Sequence, residues 1–241
     1  MNVTWFLQSE SDVPATDDWL SPGELSKLSA MRFPRRRADW RLGRWTVKRA
    51  LAARCNWGDD LLSFASTEIR SLPNGAPEAF RHAQPIREAV SLSHRAGWGL
   101  CAVAPHGTHI GCDLELIECR SQAFVEDYFT GREQILIQQA RAKDRAAIVS
   151  LLWSAKESVL KAMQAGLTLD TRIVSVKLPV VNLIPGSWER FQASCKCVSF
   201  FGWYRYVEQF VVTVAADEIL DQPIAPRDAV EYSYLACKEM S

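Results

Sequence analysis

The sequence predicts an α+β protein with two pseudo-symmetric lobes, each a small antiparallel sheet packed against a long helix. Two observations lead to this prediction. Both halves of the chain contain several short segments with the alternating apolar and polar residues of strands. Each half also contains one long segment with the apolar spacing of an amphipathic helix, over residues 32–49 and 144–161. No sequence repeat is present, and we expect an N-terminal lobe over residues 1–108 and a C-terminal lobe over residues 109–241.

Composition sets the first limits on function. Of the 241 residues, 48% are hydrophobic, so the chain can bury a sizeable core. Its 28 basic residues balance 28 acidic ones, which gives no global electrostatic argument for a nucleic acid or a membrane surface as partner. The seven cysteines form no CxxC pair, and with no signal peptide apparent they predict reduced thiols in a cytoplasmic protein and argue against zinc. No apolar run is long enough to span a membrane.

The N-terminal segment predicts a strand and then a short helix. Residues 3–7 are a candidate strand, and a polar loop follows. Ser21 and Glu24 have the spacing of a capping box, with Pro22 at the first helical position. A helix should therefore begin here and continue to about Ala30.

The basic segment over residues 32–49 predicts a long helix with two different faces. At helical spacing, one stripe is cationic and another, about a quarter turn away, is apolar. The cationic stripe consists of Arg37, Arg41, Arg44 and Lys48, and the apolar stripe of Trp40, Gly43, Val47 and Leu51. A cationic stripe is usually a solvated face. Four stacked like charges also repel each other, and a bound polyanion would relieve the repulsion, so both interpretations stay open here.

Three further strands are predicted in this half, over residues 67–71, 88–93 and 98–104. Residues 72–77 have the Pro, Asn and Gly of a tight turn. Ser93 and His94 lie at the end of the second of these strands. Imidazole can donate a hydrogen bond to phosphate, although a lone histidine in a loop is more often only solvated. A GxSxG elbow is absent from the sequence, which argues against a serine hydrolase.

An acidic strand is predicted over residues 111–117. Strict alternation places Asp113 and Glu115 on one face, with Cys112, Leu114 and Leu116 on the other. Two adjacent carboxylates repel each other, so they need either open water or a cation between them. Oxygen-rich carboxylate sites suit Mg²⁺, whereas a strand with one solvated acidic face is the alternative.

Three helices should follow this strand. The first spans residues 121–129, and the second begins at a capping box formed by Thr130 and Glu133 and continues to about Ala142. Asp144 is a candidate N-cap for the third helix, which Gly166 should terminate. The third helix carries an apolar stripe of Leu152, Ala155, Val159 and Met163.

Glu157 and Lys161 lie four residues apart on this third helix, so their side chains share one face. An exposed ion pair is the simplest explanation. If the helix packs on the acidic strand, however, Glu157 would supply a third oxygen ligand for a cation. The remaining chain predicts strands over residues 172–178, 189–200 and 204–215, with turns at Pro185-Gly186 and at Gly202.

Together, the acidic strand and the third helix resemble the signature motifs of the 4'-phosphopantetheinyl transferases, specifically their double-length Sfp-type subclass. Gly111, Asp113 and Glu115 match the Gly-x-Asp-x-Glu motif. The Trp-Ser-x-Lys-Glu-Ser-x-x-Lys motif is matched at Trp153, Ser154, Lys156, Glu157, Ser158 and Lys161. The resemblance extends from about Arg32 to Gly166, and it implies the two-lobed fold of that family and a monomer.

The resemblance implies transfer of 4'-phosphopantetheine from coenzyme A to a serine of an apo acyl or peptidyl carrier protein. It implies that Mg²⁺, or alternatively Mn²⁺, is held by Asp113, Glu115 and Glu157. Glu157, Lys161 and Asp113 are the implied catalytic residues, with Glu157 as the general base. The implied coenzyme A ligands are Arg37, Arg44, Lys48, Ser93, His94, Lys156 and Lys161, with Arg41 as a rival.

Some other positions of the sequence match the family pattern less well. Its Gly-Lys-Pro turn has Ala76 in place of the lysine, and Gln164 occupies a position where it tends to have glycine. The aromatic cluster of Phe124, Tyr128 and Phe129 is either core or a carrier-docking surface. Two other functions stay open: a Mg²⁺-dependent nucleotide phosphohydrolase, and a non-catalytic module that binds coenzyme A or a carrier protein.

Overall fold

Helices and antiparallel strands make up the computed structural model, which describes residues 1–164, 169–179 and 181–226. The helices are α1 (Pro22–Ser29), α2 (Pro34–Cys55), α3 (Leu61–Ala65), α4 (Gln122–Tyr128), α5 (Gly131–Gln139) and α6 (Arg145–Ala162). The strands are β1 (Thr4–Ser9), β2 (Thr67–Ser71), β3 (Pro77–Arg81), β4 (Gln84–Pro85), β5 (Glu88–Arg95), β6 (Trp98–Pro105), β7 (Ile110–Leu116), β8 (Val174–Lys177), β9 (Glu189–Cys195), β10 (Val198–Val207) and β11 (Phe210–Ala216). No helix of these residues combines the length and apolar composition needed to cross a membrane.

The strands form three sheets. One has the order β1-β6-β5, the second β7-β11-β10-β9-β8, and the third β2-β3-β4. Their ladders are antiparallel throughout. The predicted α+β class with antiparallel sheets is therefore confirmed.

Each half of the chain places one long helix on one sheet. The apolar stripe of α2, including Val47 and Leu51, is buried against Phe6 of β1 and Val103 of β6. The stripe of α6 is buried against the strands of the five-stranded sheet in a second cluster, which includes Leu152, Ala155, Val159, Tyr204 and Val211. These stripes were predicted from spacing alone, because burial of one helical face is the main stabilisation available to a helix in water.

A third apolar cluster joins the two lobes. It combines Val3, just before β1, and Trp5 and Leu100 of the first sheet with residues of the second, such as Cys112 and Val212. Strand β7 also lies against β5, where the Ser91 hydroxyl accepts a hydrogen bond from the Cys112 N–H at 2.9 Å. The lobes thus share a core, and the division at residues 108 and 109 stays a prediction.

Each lobe also contains a buried glutamate that joins three elements. Both capping boxes form as predicted, at Ser21 with Glu24 and at Thr130 with Glu133. In the first lobe, the Glu24 carboxylate accepts from the Lys48 ammonium of α2 at 2.6 Å and from the Ile69 N–H of β2 at 3.0 Å.

The second lobe repeats this arrangement. The Glu133 carboxylate lies 2.8 Å from the Lys156 ammonium of α6 and accepts from the Val176 N–H of β8 at 2.8 Å. In both lobes, the lysine also donates to two backbone carbonyls, those of Trp19 and Phe64 for Lys48 and those of Thr171 and Val174 for Lys156. The pseudo-symmetry of the lobes therefore extends to individual buried atoms.

Some predicted boundaries were wrong. The strand expected over residues 189–200 is interrupted by a turn at Lys196, which has a left-handed φ of 53°. Gly202 is not in a turn but lies within β10, where a Cβ atom would collide with the Phe191 ring. Helix α5 ends at Gln139 rather than Ala142, and the Asp144 side chain makes no capping hydrogen bond. Gly166 lies outside the described residues.

Candidate active site

Helix α6 lies directly against β7 because the contact surface consists of small residues. A Cβ atom at Gly111 would collide with the backbone carbonyl of Ser158, so glycine permits backbone contact between strand and helix. The Ser154 and Ser158 hydroxyls both hydrogen-bond to the hydroxyl of Thr213, at 2.9 and 2.5 Å. Thr213 of β11 pairs with Asp113 of β7 in the ladder. These contacts bring the charged face of α6 to the acidic strand.

Asp113 is bound by side chains from both lobes. The Lys161 ammonium donates to Asp113 Oδ1 at 2.7 Å and to the Cys112 carbonyl at 3.0 Å. From β5, the Ser93 hydroxyl donates to the same Asp113 oxygen at 2.8 Å. Asp113 is only 4% exposed, so these bonds act in a partly desolvated environment, where charge-assisted hydrogen bonds are strong.

Glu115 lies two residues farther along the same face of β7. Its Oε1 accepts a hydrogen bond from the Trp153 indole N–H of α6 at 3.1 Å. Its Oε2 lies 3.7 Å from the Arg95 guanidinium and 3.5 Å from the Arg120 guanidinium. The tryptophan of the helical motif therefore orients one carboxylate of the strand motif.

The carboxylates around Glu157 perturb one another. Burial raises the pKa of Glu157 to about 7, and the Asp113 and Glu115 charges add to this rise against the opposing effect of Lys161. Burial also raises the pKa of Glu115, again with a contribution from Asp113. Burial by itself would lower the pKa of Lys161, but Asp113, Cys112 and Glu157 together outweigh burial, and the net pKa is raised. Three carboxylates therefore lie close enough to raise one another's pKa values, and the Lys161 ammonium lies next to them.

The donor chemistry of this acidic cluster (Asp113, Glu115 and Glu157) fits Mg²⁺. Among the described residues, neither Asp113 Oδ2 nor Glu157 Oε1 has a hydrogen-bond partner, although both atoms are buried. An orphaned buried carboxylate oxygen is costly, and a hard divalent cation would satisfy it. Within the same part of the chain, no group of three or more Asp, Glu, His or Cys side chains is arranged closely enough to hold a metal ion. The fit to Mg²⁺ therefore rests on three features of the cluster. Its ligands are carboxylate oxygens, two of these oxygens have no hydrogen-bond partner, and the negative charges lie close together.

Two cavities flank the site. One is a cleft of about 620 Å³ lined by both lobes, including Ala76 and Ser91 from the first and Lys161 from the second. The other, of about 320 Å³, is lined by Glu157, Trp153 and Tyr128. Glu157 and Lys161 therefore line different cavities.

The structure separates the two predicted residues of the β5 loop. Ser93 is buried and reaches the acidic cluster through its bond to Asp113. His94 is exposed, and no described residue forms a hydrogen bond with its ring. Its predicted contact with coenzyme A stays a prediction.

The cationic stripe of α2 is not a free phosphate-binding face. Lys48 is 1% exposed, and its ammonium donates to Glu24 and two backbone carbonyls, which uses all three of its hydrogens. Arg44 is 6% exposed and stacks on the Trp40 ring at 4.6 Å. Burial lowers the pKa of both cations, partly offset by Glu24. The prediction that Lys48 binds coenzyme A is therefore wrong for this structure, because spacing shows which residues share a face but not what covers it, whereas the predicted contact of Arg44 stays a prediction.

The other two cations of the stripe hold the N-terminal segment. Arg37 donates to the Leu28 carbonyl at 2.6 Å, near the end of α1. Arg41 donates to the carbonyls of Pro14 and Thr16 and forms an ion pair with Asp17 at 2.8 Å. Both side chains are part-buried, and the predicted contact of Arg37 with coenzyme A stays a prediction.

Lys156 needs the same correction. It is 0% exposed and is bound by Glu133, so it presents no donor to a coenzyme A phosphate. Burial lowers its pKa, with Glu133 opposing the change. Of the two lysines in the helical motif, only Lys161 reaches the acidic cluster.

The aromatic cluster is part core and part surface. Phe129 is 1% exposed and belongs to the C-terminal core, whereas Tyr128 is 39% exposed. Phe124 and Tyr128 both contact Trp153, with ring centroids 5.1 and 5.2 Å apart. The carrier-docking role of this surface stays a prediction.

Sequence reasoning missed Thr213, Arg95, Glu118 and Arg120, which all contact the site residues directly or through one neighbour. Thr213 lies in an apolar strand, Arg95 ends strand β5, and Glu118 and Arg120 lie in the short loop after β7. Neither periodicity nor motif spacing distinguishes them from ordinary residues of their type.

Comparison with known proteins agrees with the C-terminal part of this description. Residues 109–215 match the model of the 4'-phosphopantetheinyl transferase superfamily. The chain is also 27% identical over 125 residues to 4'-phosphopantetheinyl transferase gsp of Aneurinibacillus migulanus, an alignment that covers 46% of this chain and 51% of that protein. This chain thus spans about half the length of the curated relative.

Among solved structures, a holo-(acyl-carrier-protein) synthase from Bacillus anthracis in complex with CoA (3',5'-ADP) is 17% identical. The alignment covers 42% of this chain and 91% of the other, with a TM-score of 0.36. Helicobacter pylori holo-[acyl-carrier-protein] synthase in complex with coenzyme A is 19% identical, with 43% and 98% covered and a TM-score of 0.34.

The matched segment contains the acidic strand β7, helix α6 and strand β11, which together build the site. This segment matches the model of the superfamily that its two motifs resemble.

Proposed function

We propose that this protein transfers the 4'-phosphopantetheine arm of coenzyme A to a serine hydroxyl of an apo acyl or peptidyl carrier protein. The observation that carries the proposal is the meeting of Asp113, Glu115 and Glu157 with Lys161 between α6 and β7, inside the segment that matches the superfamily. The inter-lobe cleft, lined by Lys161, has room for an extended ligand such as coenzyme A.

Asp113, Glu115 and Glu157 would hold Mg²⁺, with Mn²⁺ as a substitute. When bound, the cation would neutralise charge on the diphosphate of coenzyme A. Two orphaned buried carboxylate oxygens, one each on Asp113 and Glu157, support this assignment. Ser93 and Trp153 would keep the strand carboxylates oriented through the hydrogen bonds described above.

The transfer requires one proton movement and one bond exchange. The serine Oγ attacks the phosphorus on the pantetheine side of the diphosphate, and the P–O bond to the adenosine-side phosphate breaks. Adenosine 3',5'-bisphosphate leaves. Glu157 accepts the serine proton as the general base. Lys161 stabilises the charge that develops on the leaving phosphate.

The test is a mass spectrum of an apo carrier domain after incubation with coenzyme A, the protein and Mg²⁺. The expected result is a mass increase of one phosphopantetheine group that requires both the protein and the cation. Hydrolysis of coenzyme A without carrier modification would favour a nucleotide phosphohydrolase. Binding of coenzyme A or carrier without any turnover would instead favour a non-catalytic module.

A further inference from the structure

An ionic network at the edge of the acidic cluster links the two lobes. Arg95, at the end of β5, belongs to the first lobe, and Arg120, just after β7, belongs to the second. Both guanidiniums lie 2.8 Å from the same oxygen of Glu118. Arg120 is also fixed over the Phe124 ring, at 5.1 Å from its centroid.

The same two arginines also face Glu115, but at longer distances. Arg95 lies 3.7 Å and Arg120 lies 3.5 Å from Glu115 Oε2, compared with 2.8 Å from Glu118 in each case. Because attraction and hydrogen bonding both weaken with distance, Glu118 is the preferred partner of both cations.

Stability is a poor explanation for this network. The side chains of Arg95, Arg120 and Glu118 are 39%, 25% and 35% exposed. Solvated ion pairs of this kind contribute little to folding. Their positions matter more, because a guanidinium that closed on Glu115 would compete directly with any cation bound there.

We propose that Glu118 is a positioning residue that holds Arg95 and Arg120 away from Glu115 and so preserves the cation affinity of the acidic cluster. The inference rests on the proposed function, because it assumes a divalent cation at that cluster. Without Glu118, both guanidiniums should close on Glu115 and neutralise it.

The experiment is a titration of Mn²⁺ alone into the full chain, with free Mn²⁺ followed by electron paramagnetic resonance. Glu118→Gln should weaken Mn²⁺ binding by about tenfold, the size expected for forming a charge-assisted hydrogen bond to the ligand carboxylate. The triple variant Glu118→Gln, Arg95→Gln, Arg120→Gln should recover wild-type affinity, because no guanidinium is left to close on Glu115.

Glu126→Gln is the matched control. It removes the same charge from exposed α4, where Glu126 accepts a hydrogen bond only from Gln122 among the described residues. It should bind Mn²⁺ as the wild type does.

Wild-type affinity in Glu118→Gln would overturn the proposal. Equal weakening in the single and triple variants would also overturn it, because the loss would then come from a missing negative charge. A wild-type protein without saturable Mn²⁺ binding would have the same consequence.

Mn²⁺ binding that follows the proposed pattern without carrier modification would refute the proposed function alone. Carrier modification with an unaffected Glu118→Gln titration would refute this inference alone.

Discussion

The two lobes use the same buried framework but place different side chains on the strand that faces the long helix. In each lobe, a capping-box glutamate binds a lysine on the long helix, at 2.6 Å for Glu24 with Lys48 and at 2.8 Å for Glu133 with Lys156. Each glutamate also accepts the N–H of an edge strand. These groups hold the helix to the sheet in both lobes.

The register of the hairpins shows where the lobes differ. If Trp98 at the start of β6 is aligned with Phe210 at the start of β11, then Phe6 and Gln8 of β1 correspond to Asp113 and Glu115 of β7. The residue after each buried lysine also differs, because Arg49 in α2 corresponds to Glu157 in α6.

The comparison separates residues that hold the fold from residues that build the site. The first lobe has an aromatic ring, an amide and a guanidinium at the positions where the second lobe has three carboxylates. Arg49 lies over the Phe6 ring at 5.7 Å, so this region of the first lobe is a packing contact. Proposed catalytic chemistry therefore belongs to one lobe, although the framework belongs to both.

The largest effect is expected from breaking the framework. Lys48→Met and Lys156→Met should each lower the free energy of unfolding by about 3–5 kcal/mol, because each leaves a buried carboxylate without its cation. Denaturant unfolding measures this loss. Adding Glu24→Gln or Glu133→Gln to the matching variant should recover part of it. A loss below about 1 kcal/mol in either lobe would contradict the shared role.

The next effect distinguishes the lobes. Glu157→Gln should lower the rate of carrier modification by at least about 10²-fold, because it removes the proposed base and a cation ligand. Arg49→Gln, at the corresponding position of the first lobe, should change the rate by less than about twofold. Initial rates with an apo carrier domain measure both. Equal effects at the two positions would remove the functional difference between the lobes.

Backbone contact between strand and helix gives a third effect. Gly111→Ala should destabilise the protein by about 2–3 kcal/mol, because its Cβ meets the rigid Ser158 carbonyl. Gly99→Ala in the first lobe should cost less, about 1 kcal/mol, because the nearest atom is the rotatable Thr46 hydroxyl. Thermal unfolding of both variants checks the order. Equal costs would show that α6 can move away from β7 as easily as a side chain can rotate.

The last effect concerns pH and develops gradually over several pH units. The folded-state pKa of Glu157, about 7, is raised above the ordinary value of 4.5, so the protonated carboxyl is the form favoured by folding. Its contribution to stability is fully present below pH 4.5 and is lost as pH rises through about 7. In buffer with a chelator, Glu157→Gln should therefore gain about 3 kcal/mol over the wild type between pH 4.5 and pH 8. Parallel stability curves for the two proteins would contradict the raised pKa.

Local patterns in the sequence are sufficient to determine many features of this protein. The capping boxes at Ser21 and Thr130 were predicted because their partners lie only three residues apart. The face shared by Asp113 and Glu115 follows from strand alternation, and the pairing of Glu157 with Lys161 on one helical face follows from helix geometry. Each of these inferences needs only the geometry of one element.

Only the tertiary structure decided which charges are available for chemistry. The lysines Lys48, Lys156 and Lys161 look equivalent in the sequence. In the structure, however, Lys48 and Lys156 are buried in ion pairs with glutamates 24 and 23 residues away. Lys161 instead reaches Asp113, 48 residues away. The turn at Lys196 was missed for a related reason, because no glycine, proline or asparagine marks it and the sheet imposes its left-handed φ. Periodicity defines the faces of an element, but the packing of distant segments determines which face is covered.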